Sequence, residues 1–210
     1  MIRIVLADDR PLIREGLRRL LGTEPSLSVV GAAKDAPELF SVLERESCDV
    51  VVLDVHMPGP GFLETLSRIR SASHPPGVLV LSSSPESLFA LRALRHGASG
   101  YLTKDAEPDE IVLAIQQIAR GEKYITPILA DLLVQGISDG AELLPHHDLS
   151  GREFDVLRLL GAGNSTEDVA KTLSISPKTV ATYRSRIYQK LDLKGMPQLI
   201  RYALEYGIAE

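Results

Sequence analysis

Five polar side chains of this sequence stand where an apolar, β-rich run of residues stops: Asp8, Asp9, Asp54, Ser82 and Lys104. Asp54 is the clearest case, because it follows an unbroken apolar run and is itself followed by loop-forming residues from Met57 to Gly61. In open α/β sheets, ligands bind at the carboxyl ends of the strands. The spacing therefore predicts that these side chains gather at one edge of a sheet, although a single acid at such a place is usually only solvated.

The predicted cluster favours phosphoryl chemistry on Asp54. Three carboxylates at one edge repel one another and cannot all stay ionised without a cation between them. Oxygen ligands favour a hard ion, and Mg²⁺ fits best. Together with the Lys104 ammonium, Mg²⁺ would offset the charge of a transferred phosphoryl group, and the Ser82 hydroxyl could donate to one of its oxygens. No glycine-rich phosphate loop follows the first apolar run, which argues against a dinucleotide site.

The elements that must position these residues alternate between strand and helix. Apolar periodicity predicts five βα units in the first 120 or so residues, and hence an α/β, doubly wound parallel sheet. The predicted strands are 2–7, 27–31, 49–53, 77–81 and 100–103, and the predicted helices are 12–21, 35–46, 63–71, 85–96 and 108–120.

The order and spacing of these residues resemble the receiver domain of a two-component response regulator. The resemblance covers roughly residues 1–121 and is carried by the following residues: Asp8-Asp9, Asp54 with Met57-Pro58-Gly59, Ser82, Tyr101 and Lys104. The sequence departs from the family at Arg10, at Gly61-Phe62 and at Ser83. These departures remove no chemical role, but they bear on the lifetime of the phosphoryl group.

The resemblance implies a role for each residue of the cluster. Asp54 would accept the phosphoryl group, and Lys104 would contact it. Asp9, Asp54 and the backbone carbonyl of His56 would ligate Mg²⁺, with Asp8 holding the ion through water. Ser82 and Tyr101 would form a switch pair, in which the ring turns inward when the serine hydroxyl moves to the phosphoryl group.

Residues 122–147 are predicted to form a solvated linker. Helical spacing follows Pro127 as far as Val134, and glycines and polar residues then interrupt it. His146 and His147 could suggest a metal site, but no cysteine or further histidine completes one.

Residues 148–210 are predicted to form an all-α, four-helix domain that contains a helix-turn-helix. Ser150 and Glu153 have the spacing of a capping box, and Ser165 or Thr166 caps a short second helix. Ser176-Pro177 begins a third helix that extends to about Leu191. Gly195-Met196-Pro197 then separates it from a last helix over 198–206.

The third of these helices has a face suited to the major groove. Small side chains and cations point outward, and the segment 176–190 carries four basic residues and no acid. Such a face taken alone is more often an ordinary solvated surface. The predicted DNA-binding residues are Lys178, Thr179, Ala181, Thr182, Arg184, Ser185, Arg186 and Lys190.

The same segment, about 148–207, resembles a LuxR-type helix-turn-helix. The matching residues are Leu149, Arg152-Glu153, Val156-Leu157, Ile175 through Val180 and Lys190-Leu191. Tyr183 stands where the family usually has histidine, and Gly195-Met196-Pro197 is an unusual start for the last helix, which helps dimerisation in the family. Both domains together resemble a response regulator of the NarL/FixJ class.

Composition agrees with two modules that have different partners. The 210 residues carry a net charge of −5, divided as −7 over residues 1–148 and +2 over residues 149–210. Cys48 is the only cysteine, so no intramolecular disulfide can form, and a reducing cytoplasm is expected. No apolar run is long enough to span a membrane, and no secretory leader is expected.

The function expected from the resemblance is a phosphorylation-switched transcription factor. Its partners would be a sensor histidine kinase, promoter DNA, a second copy of the chain when phosphorylated, and RNA polymerase. The alternative is a phosphorylation-independent DNA-binding regulator whose receiver is a dimerisation scaffold. An enzyme is not expected, because the last 62 residues offer no nucleophile with a base.

Overall fold

The computed structural model describes residues 1–57, 61–83, 86–138, 146 and 149–209. Pro58 and Gly59 of the receiver motif, Pro85 at the predicted start of the fourth helix, and His147 lie outside the described residues. The chain divides into two compact units, Met1–Val134 and Gln135–Glu210. The limits 1–121, 122–147 and 148–210 inferred from the sequence remain a prediction.

The first unit contains a five-stranded parallel sheet in the order β2-β1-β3-β4-β5. Its strands are β1 (Ile2–Ala7), β2 (Leu27–Ala33), β3 (Val50–Leu53), β4 (Gly77–Ser82) and β5 (Gly100–Thr103). The order reverses between β1 and β3, which is the switch point where doubly wound sheets bind ligands. The predicted fold class is confirmed.

Five helices alternate with these strands. They are α1 (Pro11–Gly22), α2 (Ala36–Arg45), α3 (Phe62–Arg70), α4 (Glu86–Arg95) and α5 (Pro108–Ala119). Asp35 caps α2, since its side chain accepts a hydrogen bond from the Glu38 N–H. After α4, Gly97 has a φ of 107°, a left-handed conformation that favours glycine.

The sheet core explains why β3 is continuously apolar. All four of its residues are at most 2% exposed, as expected for a strand covered by helices on both faces. Apolar residues of α1 and α5 pack against one side of the sheet. The ends of β1 and β3 are therefore held rigidly beside each other.

The interpretation of 122–147 as a solvated linker needs correction at the residues that the structure describes. A sixth helix, α6 (Pro127–Ser138), begins there, and Leu129 is fully buried. Tyr124 pairs beside Gly100, and its hydroxyl donates to Glu110 Oε1 at 3.0 Å. The helical spacing after Pro127 predicts the helix, but the burial of Leu129 depends on tertiary contacts that the sequence pattern does not show.

Over residues 149–209, which the structure describes, the second unit forms a bundle of four helices, as predicted. They are α7 (Gly151–Gly161), α8 (Thr166–Thr172), α9 (Pro177–Lys190) and α10 (Met196–Glu205). The capping box of Ser150 and Glu153 is present, and Ser165 rather than Thr166 caps α8. Ser176 caps α9 by accepting from the Thr179 N–H.

Two features of the second unit differ from the sequence-based expectation. Helix α10 begins at Met196 instead of residue 198, because proline is tolerated in the first turn of a helix. His146 is fully buried rather than solvated, and its Nδ1 lies 2.9 Å from the Tyr202 hydroxyl. Among the described residues, no helix is long and apolar enough to cross a membrane.

Candidate functional site

The strand ends bring the three predicted carboxylates together. β1 and β3 pair in register up to Ala7 and Leu53, and the Asp54 N–H continues this ladder by donating to the Ala7 carbonyl at 2.8 Å. One ligand oxygen from each of Asp8, Asp9 and Asp54 lies within 4.8 Å of the others. Asp8 and Asp54 are buried, whereas Asp9 is exposed at the mouth of the site.

Lys104 supplies a positive charge to this cluster. Its ammonium lies 2.5 Å from Asp8 Oδ2 and 3.0 Å from Asp54 Oδ2. The lysine follows β5, and its backbone N–H donates to the Ser82 carbonyl at 2.8 Å, which continues the pairing of β4 with β5. The sheet register therefore places the lysine between the two buried carboxylates.

One ammonium does not neutralise three carboxylates. Burial raises the pKa of the Asp54 carboxyl, and the negative charge of Asp8 raises it further. The charge and hydrogen bond of the Lys104 ammonium and the hydrogen bond from the His56 N–H lower this pKa. The net result is a raised pKa. Asp54 Oδ1 is buried and has no hydrogen-bond partner among the described residues. The excess negative charge and the free oxygen fit a divalent cation and an incoming phosphoryl group.

The raised pKa of Asp54 predicts how pH affects stability. The folded state binds this proton more tightly than the unfolded state, whose pKa is near the ordinary 3.8. The stabilisation is therefore complete below pH 3.8 and is lost as pH rises through the folded pKa. We expect Asp54→Asn to stabilise the first unit at neutral pH, with a gain that shrinks as pH falls.

Hydrogen exchange of β3 amides in urea would measure this gain, because it reports on the first unit alone. Asp109→Asn, which replaces an exposed acid of α5, is the matched control. A gain for Asp54→Asn that is the same at pH 4 and pH 7 would contradict the assigned cause.

Ser82 and Tyr101 lie together under the same edge of the sheet. Both are fully buried, and their side chains are hydrogen-bonded to each other. Burial raises the pKa of the tyrosine, the bond to Ser82 opposes this, and the charges of Glu86 and Asp54 raise it further. The ring is thus in the inward position. The assignment of this position to the phosphorylated state remains a prediction.

His56 lies two residues after Asp54, and its ring meets Phe89 edge to face at 6.0 Å. The predicted use of its backbone carbonyl as a metal ligand remains a prediction.

Sequence reasoning did not identify Arg14, whose Nη1 donates to the Asp8 carbonyl at 2.6 Å. Arg10 contributes through its backbone, since its N–H donates to Asp8 Oδ1 at 2.8 Å. Both contacts orient Asp8. The Arg10 contact is a local Asx-type turn, whereas no spacing rule would have revealed the Arg14 contact.

Helix α9 presents the predicted DNA-binding face. Val180 and Ile187 are fully buried, and Leu191 is 8% exposed. Tyr183, which stands where the family usually has histidine, is half-buried. On the opposite side, the exposed candidates are Lys178, Thr182, Ser185, Arg186 and Lys190, and the half-buried ones are Thr179, Ala181 and Arg184.

Lys190 differs from the other candidates because it is paired inside the domain. Its ammonium lies 2.7 Å from Glu153 Oε2, and that carboxylate also accepts from the Ser150 N–H at 2.7 Å. Glu153 is 3% exposed. Burial raises the pKa of its carboxyl, but hydrogen bonds from Lys190 and Ser150 outweigh this, so the pKa is lowered overall. The lysine therefore joins the end of α9 to the start of α7.

Two family models match the chain. Residues 4–116 match the response regulator receiver domain, and residues 147–203 match the bacterial regulatory proteins of the luxR family. The fold and the acidic site agree with the first match, and the helix-turn-helix agrees with the second. The chain belongs to the response regulators that join a receiver domain to a LuxR-type DNA-binding domain.

Similar proteins cover all or nearly all of the chain. The response regulator UvrY of Escherichia coli K12 is 32% identical over 99% of this chain and 96% of its own length. The response regulator GacA of Pseudomonas aeruginosa is 33% identical over 100% of this chain and 99% of its own length. A solved structure of Salmonella typhimurium RcsB has the same fold, with a TM-score of 0.72 and 24% identity over 98% of each chain.

Proposed function

We propose that a sensor histidine kinase phosphorylates this response regulator on Asp54, and that phosphorylation controls the binding of α9 to promoter DNA. The single observation that carries the proposal is the environment of Asp54. One of its buried oxygens is held by Lys104, and the other has no hydrogen-bond partner in the part of the chain that the structure describes. Membership of the response regulators supports the assignment.

The chain's own residues fit an in-line phosphoryl transfer from a phosphohistidine. An Asp54 oxygen attacks phosphorus, the phosphorus–nitrogen bond breaks, and the electron pair of that bond leaves with the histidine ring of the kinase. Lys104 offsets the charge of the phosphoryl oxygens, and Ser82 donates a hydrogen bond to one of them. Asp9, Asp54 and the His56 carbonyl would hold Mg²⁺, with Asp8 acting through water, and the bound ion would supply further positive charge to the phosphoryl group.

The output is the binding of DNA by two copies of the second unit. Lys178, Arg184 and Arg186 would meet phosphates, while the small side chains Ala181 and Ser185 approach base edges. A dimer formed on phosphorylation would bind two half-sites in the cytoplasm, with RNA polymerase as a further partner.

Selection of DNA from a random-sequence duplex pool tests this function. We expect protein treated with Mg²⁺ and beryllofluoride to enrich a motif of two half-sites and to double in mass by light scattering. The double variant Arg184→Ala, Arg186→Ala should dimerise but enrich nothing. Wild-type protein that enriches no motif in either state would exclude the proposal.

The scaffold alternative makes a different prediction for the same samples. If the receiver only holds two copies together, Asp54→Asn and wild type would enrich the motif equally, and beryllofluoride would change neither. The buried site around Asp54 and Lys104 favours the phosphorylated switch, because a scaffold has no need for a costly cluster of like charges.

A further inference from the structure

The start of α6 is attached to α4 by buried polar groups. Thr126 precedes α6, and its hydroxyl oxygen accepts a hydrogen bond from the Leu129 N–H at 3.1 Å, which caps the helix. The same hydroxyl donates its proton to the Glu86 carboxylate in the first turn of α4. Thr126 is 6% exposed and Glu86 is 8% exposed. The hydroxyl therefore bonds both helices at once.

The same segment is also attached to β5. The Tyr124 N–H donates to the Ser99 carbonyl at 2.9 Å, and Tyr124 pairs beside Gly100, the first residue of β5. Leu129, in the first turn of α6, is fully buried. The residues just before α6 therefore contact both β5, which contains Tyr101, and α4, which follows Ser82.

Glu86 lies in the first turn of α4, the helix that follows Ser82 in the chain and packs against β5, the strand that contains Tyr101. The charge of Glu86 also raises the pKa of the Tyr101 hydroxyl. A movement of Ser82 or of the tyrosine ring is therefore expected to shift the start of α4 and the Glu86 carboxylate with it. A buried carboxylate is strongly destabilised when it loses its hydrogen-bond donor. Thr126, the donor to Glu86, is therefore expected to move together with that carboxylate.

We propose that the hydrogen bond between Glu86 and Thr126 transmits the state of the switch pair to α6, and thereby sets the DNA affinity of the second unit. The inference rests on the proposed function. Helix α6 extends from Pro127 to Ser138 and is the last described helix before α7, so the chain continues from it toward the DNA-binding helices. Thr126 and Glu86 are positioning residues that contact neither phosphate nor DNA.

The test compares two substitutions of Thr126 in the full chain. Thr126→Val removes the hydroxyl at nearly constant volume, whereas Thr126→Ser keeps it. The readout is the ratio of DNA dissociation constants without and with Mg²⁺ and beryllofluoride, measured on the selected duplex. Phosphoryl uptake from acetyl phosphate is measured on the same samples.

We expect wild type and Thr126→Ser to show a ratio of about 5–150, the usual range of allosteric coupling. Thr126→Val should show a ratio near one, with phosphoryl uptake unchanged. A merely structural role would lower stability without changing this ratio. Glu86→Gln, which keeps an acceptor but loses its charge, should give an intermediate ratio and provides a second test if Thr126→Val folds poorly.

The outcomes separate the two proposals. If wild type responds and Thr126→Val responds equally, the coupling role is excluded while the proposed function stands. If wild type itself shows a ratio of one, phosphorylation does not control DNA binding, and both proposals fail.

Discussion

Asp54→Asn abolishes phosphoryl uptake, and we expect this to be the largest effect of any single substitution in the chain. The asparagine amide fits the space of the carboxylate, but it carries no charge and cannot form an acyl phosphate. Lys104 and Asp8 remain paired, so the fold is kept. Incubation with acetyl phosphate and Mg²⁺, followed by phosphate-affinity electrophoresis, measures the loss directly.

The control for this result is another aspartate of the same domain. Asp109→Asn, on the exposed first turn of α5, should take up phosphate like wild type. Residual uptake by Asp54→Asn at the wild-type rate would mean that a different carboxylate is the acceptor. Asp9 would then be the next candidate, because it is exposed at the mouth of the same cluster.

The site at the strand ends could be predicted because it depends on local rules. A buried parallel strand is apolar throughout, so β3 shows where it ends, and Asp54 follows at once. Once the strands are assigned, the doubly wound topology brings their carboxyl ends to one edge. The helix caps at Asp35, Ser150 and Ser176 could be predicted for the same reason, since each contact spans only three residues.

Other features could not be predicted because they join distant parts of the chain. Thr126 bonds Glu86 across 40 positions, and neither residue belongs to a motif. The buried position of His146 likewise depends on α10, since its ring packs against Tyr202 and Tyr206. Thr126 and His146 both lie in the segment that was predicted to be a solvated linker. In the structure, a tertiary hydrogen bond buries Thr126 and ring contacts bury His146.

The structure gives Lys190 a different role from the one predicted by the sequence. On the sequence it is one of four cations in the segment 176–190, and all were expected to meet DNA. In the structure its ammonium is paired with the buried Glu153. The second large effect that we predict is therefore a loss of stability, rather than a loss of phosphate contact, when Lys190 is replaced.

Lys190→Met should lower the free energy of unfolding of the second unit by about 1–3 kcal/mol. Removing one partner of a fully buried pair costs about 3–5 kcal/mol, and we reduce this because the lysine side chain is 40% exposed and partly screened by solvent. The contribution of the carboxylate is present above its ordinary pKa of 4.5 and is lost as pH falls through the lowered folded value. Hydrogen exchange of α7 amides in urea at pH 7 would measure the change.

DNA binding at several salt concentrations separates the two roles of the α9 lysines. Lys178→Met should reduce the slope of log affinity against log salt by about 0.9, the value for one phosphate contact, whereas Lys190→Met should leave the slope unchanged. The double variant Lys190→Met, Glu153→Gln should regain part of the stability, since it leaves no buried charge unpaired. If Lys190→Met instead lowers the slope as Lys178→Met does and leaves stability intact, Lys190 contacts DNA in the complex, and the pair with Glu153 opens on binding.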